Sequence, residues 1–130
     1  MSQHEEATIN AFIVRERRGR FLELLPNPKK RRKITELLAH PNLAWFDSRY
    51  VKPIQPARQH AKSIAELLRS KGAGEMCWAI SEDARFDGLE LDLMTALSET
   101  IGYGMGTILC CVPGKLAFVE TEDGRFILEK

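Results

Sequence analysis

Thr107-Ile108-Leu109-Cys110-Cys111-Val112-Pro113-Gly114-Lys115-Leu116-Ala117-Phe118-Val119-Glu120-Thr121-Glu122-Asp123-Gly124-Arg125-Phe126-Ile127-Leu128 is the stretch that decides the fold. Two runs rich in strand formers, Thr107–Val112 and Lys115–Thr121, meet around Pro113-Gly114. Asp123-Gly124 is a strong hairpin signal and leads into Arg125–Leu128. Three successive antiparallel strands are therefore expected at the end of the chain.

Working back from that stretch, Gly102 closes a helix carrying Leu93, Met94, Leu97 and Ile101, with Asp87 as its expected cap. Glu75–Ile80 alternates loosely and reads as a further strand. Before Ala73 the chain reads as three helices with one loop between the second and the third. Ser2 and Glu5 have capping-box spacing, and Ile9, Phe12 and Ile13 start an apolar stripe. Val14, Phe21 and Leu25 continue the stripe slightly rotated, so one helix is expected up to Pro26. Asn27-Pro28 announces a second helix to about Ala39, stopped by His40-Pro41-Asn42. Leu43–Gln55, with Trp45, Phe46, Tyr50 and Val51, reads as a packed loop holding a short extended piece. Pro56 opens a third helix to Lys71, capped by Gly72. The expected fold is α+β: three helices, then strand-helix-strand-strand-strand. A small, mainly antiparallel sheet would be covered by helices on one face. A chain of 130 residues suits a single domain, 1–130.

No apolar run approaches the ~18 residues of a membrane helix. The opening residues are polar and acidic, unlike a signal peptide. Cys77, Cys110 and Cys111 are odd in number and lie in apolar segments, so buried reduced thiols in a cytoplasmic protein are expected. As neighbours on a strand, Cys110 and Cys111 should face opposite ways.

The charge is split. Residues 1–72 hold 15 Lys+Arg against 7 Asp+Glu, and residues 73–130 hold 4 against 11. The candidate anion-binding cations are Arg15 and Arg18 on the first helix, and Lys29, Lys30, Arg31 and Lys33 at the start of the second. A helix start with free amides and several cations suits phosphate or carboxylate groups. Trp45, Phe46 and Tyr50 are candidates to stack on bases.

Other chemistries find little support. The acids Glu82, Asp83, Asp87, Glu90 and Asp92 lack the spacing of a calcium loop. Gly102-Tyr103-Gly104-Met105-Gly106 follows a helix and precedes a strand, the reverse of a phosphate loop. His4, His40 and His60 have no metal-ligand spacing with one another or with the cysteines. Asp47, His60 and Ser63 could form a triad only by tertiary proximity. With no catalytic motif, no cofactor and no metal expected, a non-enzymatic role is favoured. The leading expectation is a small protein that binds a polyanion, most readily nucleic acid. The alternative is a protein-interaction module that self-associates or docks an acidic partner through its opposed charges.

Overall fold

A computed structural model describes residues 2–40 and 45–130. Among these the helices are α1 (Gln3–Phe12), α2 (Arg15–Leu24), α3 (Arg31–Ala39), α4 (Ala61–Ser70) and α5 (Leu93–Thr100). The strands are β1 (Val51–Pro53), β2 (Met76–Ser81), β3 (Glu90–Asp92), β4 (Thr107–Val112), β5 (Leu116–Thr121) and β6 (Gly124–Glu129). They form one antiparallel sheet in the order β1-β6-β5-β4-β2-β3. The fold is α+β, and the three closing strands lie where the hairpin signals placed them. None of the helices is long and apolar enough to cross a membrane.

The sheet is covered on both faces rather than one. Ile80, Ile108, Cys110, Ala117, Val119, Phe126 and Leu128 pack with residues of α1, α2 and α3. Cys77, Ala79, Leu109, Phe118 and Ile127 pack with α4 and α5. Cys110 and Cys111 accordingly enter opposite cores, and a register shift between Cys110 and Val112 marks a bulge. All three thiols are free and buried. Desolvation pushes Cys77 and Cys110 up to about 12, so both remain protonated at neutral pH.

Four local expectations are corrected. The first predicted helix is two: Ile13 and Val14 turn extended between α1 and α2, and Ile13 bridges Phe46. The Val14 amide donates to the Trp45 carbonyl and the Asp47 amide to the Phe12 carbonyl, both at 2.8 Å. The break lets Ile13 be fully buried beside Ile9 and Phe12. The second predicted helix begins later, at Arg31, because the side chain and carbonyl of Asn27 hold a turn over residues 27–31. Its expected stop at Pro41-Asn42 lies outside the described residues, as does Leu43. The third predicted helix is a 3-10 turn over Pro56–Arg58 followed by α4. The fourth starts at Leu93, with Asp92 rather than Asp87 as its cap: its carboxylate accepts the Thr95 amide at 2.9 Å. The short extended piece expected between residues 43 and 55 is β1, which pairs with β6.

Gly106 shows how closely the helical layer approaches the sheet. A Cβ at this position would overlap the Leu38 carbonyl carbon and the Ala39 amide nitrogen. Backbone cannot yield as a flexible side chain can, so Gly106→Ala is expected to destabilise the protein by more than about 3 kcal/mol in urea unfolding. A midpoint matching the parent protein would show that α3 can move off the sheet.

Candidate polyanion interface

The six candidate cations have three different fates. Arg31 is turned inward and fully engaged. It lies on the same side of α3 as Ile34, Thr35 and Leu38, all buried. Its guanidinium donates from Nη1 and Nη2 to Glu5 Oε1 and Oε2 at 2.9 and 2.7 Å. Nε and Nη2 donate to Asp87 Oδ2 and Oδ1 at 2.6 and 2.8 Å. Trp78 Nε1 also donates to Glu5 Oε2, at 2.8 Å, and the Ser81 amide to Asp87 Oδ1, at 2.9 Å. The side chains of Glu5, Arg31 and Asp87 are 2%, 15% and 20% exposed. Burial disfavours the charged guanidinium, but the bonds to Asp87 and Glu5 outweigh it and raise the Arg31 pKa further. Only half of the expected capping box forms. Ser2 accepts the Glu5 amide at 3.1 Å, while the Glu5 carboxylate serves Arg31 and Trp78.

Arg15 and Arg18 line an open cleft of about 670 Å³ with Glu16, Phe46, Asp47, Ser48 and Arg49. The break between α1 and α2 shapes this cleft, because it brings residues 45–47 against the start of α2. Arg18 Nε donates to the Ile13 carbonyl at 2.8 Å, which fixes its stem. Arg49 is a third guanidinium that residue types alone did not single out. Its Nη2 meets Asp47 Oδ2 at 2.7 Å. That hydrogen bond is the main reason the Asp47 carboxyl is pushed down to about 2, and the Arg18 charge adds to it.

Lys29, Lys30 and Lys33 are exposed, in the turn before α3 and in its first turn. None of their ammonium groups forms an ion pair among the described residues. Neighbouring Arg32 is matched by Glu36 at 2.9 Å, an exposed pair worth about 0.3–0.5 kcal/mol. At 1.5 Å per residue, α2 is about 15 Å long and separates the lysine group from the arginine cleft. Arg17 and Arg20 are exposed between them.

The acidic half largely satisfies other groups. Glu122 meets His40 at 2.7 Å, Glu129 meets Lys71 at 2.9 Å and Asp83 meets Arg85 at 2.9 Å. Buried Glu120 meets Arg125 at 2.6 Å across β5 and β6. The proposed stacking residues are mostly spoken for. Phe46 is buried edge-on against Phe126. Trp45 packs edge-on against Phe21, and the Tyr50 ring lies about 5 Å from both the Arg49 and Lys130 cations. His60 and Ser63 share a 2.8 Å hydrogen bond, but Asp47 is committed to Arg49 and no triad forms.

Arg31→Met removes the only cation that Glu5 touches among the described residues and leaves a buried carboxylate beside Asp87. Loss of one partner from such a set costs about 3–5 kcal/mol, so a large drop in the urea midpoint is expected. Lys29→Gln, Lys30→Gln and Lys33→Gln together should leave the midpoint unchanged or slightly raised, since they remove cations from a helix start. Equal effects of the two changes would contradict this division of roles. No protein-family model, curated protein or solved structure matches the chain.

Proposed function

We propose that the protein is a small polyanion-binding protein, with nucleic acid as the most fitting partner. The contacting groups would be Arg15 and Arg18, joined by Arg49, at one end of α2, and Lys29, Lys30 and Lys33 at the other. Arg31 leaves the contacting set and becomes the residue that holds α3 in place. One observation carries this reading: Lys29, Lys30 and Lys33 are exposed and have no carboxylate partner among the described residues, although the chain holds nearly equal numbers of acids and bases. Cations spread along about 15 Å suit a linear array of phosphates better than one compact anion. Three buried, unpaired thiols suit a reducing compartment such as the cytoplasm.

The charge-driven interaction module has less support. Among the described residues three pairs already join the basic and acidic halves within one molecule: Arg31–Asp87, His40–Glu122 and Lys71–Glu129.

Anisotropy titrations with labelled single- and double-stranded DNA test the proposal. Six neutralised phosphates should weaken duplex binding about 2,000-fold between roughly 50 and 200 mM salt. The Lys29, Lys30 and Lys33 to Gln variant should lower the salt slope by about three. Absence of salt-dependent binding at micromolar protein would overturn the reading. A mass above the monomer that falls with added salt, without oligonucleotide binding, would favour self-association instead.

A further inference from the structure

A second cleft, of about 210 Å³, lies between the sheet edge and α4, on the face opposite α1–α3. It is lined by residues of β1, the Pro56–Arg58 turn, α4 and β6. Pro53, Leu67 and Ile127 give it an apolar wall, while Lys52, Arg58, Lys71 and Glu129 supply charge. Lys71 and Glu129 are matched at 2.9 Å. The Leu67, Leu68 and Arg69 carbonyls near the end of α4 are also taken, by the amides of Lys71, Gly72 and Ala73 and the hydroxyl of Ser70. Two cations remain. Among the described residues, Lys52 Nζ reaches only the Arg49 carbonyl, at 3.3 Å. The half-buried Arg58 side chain has no hydrogen bond or ion pair among the described residues. Its backbone is nevertheless fixed, because its amide donates to the Gln55 carbonyl at 2.9 Å and the Gln59 side chain donates to the Ile54 carbonyl at 2.8 Å.

A half-buried arginine side chain without a protein acceptor among the described residues offers its guanidinium to an anion. Its planar fork suits a phosphate or carboxylate. The volume is below the ~300 Å³ of ordinary ligand pockets, which limits the occupant to a small molecule. With two cations left after Glu129 is matched, a dianionic head fits the charge better than a monoanion. We infer that this cleft binds a small phosphomonoester with an apolar body. The phosphate lies on Arg58 and Lys52, and the body packs against Leu67, Ile127 and Pro53. This site is separate from the polyanion interface and does not depend on it.

Phenyl phosphate is a suitable probe, followed by amide chemical shifts in ¹H–¹⁵N spectra at about pH 7.5, where the second phosphate proton is lost. Saturable shifts centred on residues 52–59, 67–71 and 127–129 are expected, with a Kd of about 1 mM or lower. Inorganic phosphate and benzoate should each bind at least about fivefold more weakly, since each lacks one half of the recognised chemistry. Arg58→Gln should weaken phenyl phosphate about tenfold, the loss of one charge-assisted contact. Lys52→Gln provides the same reading if the first variant does not fold. The Lys29, Lys30 and Lys33 to Gln variant should bind phenyl phosphate like the parent. Shifts that do not saturate, benzoate binding as well as phenyl phosphate, or folded Arg58→Gln and Lys52→Gln variants with parental affinity would overturn the inference.

Discussion

The guanidinium of Arg31 lies between two carboxylates that are far apart in sequence. Glu5 comes from the first turn of α1, and Asp87 from the loop between β2 and β3. Trp78 and the Ser81 amide, both on β2, bind the same two carboxylates. One planar group thus joins α1, α3 and the sheet. Its geometry resists sliding, because four N–H···O bonds of defined direction must be kept together. The apolar layer between α1–α3 and the sheet supplies most of the driving force, at about 1.5–3 kcal/mol per large buried side chain. The ion set adds direction to a force that has little of its own. It holds the first turn of α3 against α1 and the sheet, next to the turn that carries Lys29 and Lys30.

Much of this architecture is written in local pattern. The Asp123-Gly124 hairpin and the strands on either side follow from turn chemistry and apolar runs. The second helical cover was also detectable: Thr107–Val112 and Leu116–Thr121 are continuous rather than alternating, as expected of strands buried on both faces. The slight rotation of the apolar stripe after Ile13 was the trace of the break between α1 and α2. By contrast, β3 has no local signature. Glu90 and Asp92 are poor strand formers, and pairing with β2 imposes the conformation. Asp87 and Asp92 are equally good caps by residue type, and only the tertiary partner Arg31 decides which one caps.

The candidate site was legible in composition but not in detail. Five consecutive cations hide the fact that one of them, Arg31, is three residues before Ile34 and seven before Leu38, on the inward line of the helix. That spacing was the available signal. Arg49 and Arg58 had none, because each depends on which loop packs beside it. Burial sorts these similar side chains into different roles. Arg31 is structural, the lysines around it are exposed, and Arg49 and Arg58 stand at the edges of separate clefts. The opposed charges of the two halves are only partly used to hold the halves together, which leaves a surplus of cations around α2.

A double-mutant cycle on Glu5→Gln and Arg31→Met, read by urea unfolding, measures the contact on which this organisation depends. A coupling of at least about 1.5 kcal/mol is expected for partners in one buried network. Additive effects, within about 0.5 kcal/mol, would mean that the guanidinium does not hold the helices to the sheet.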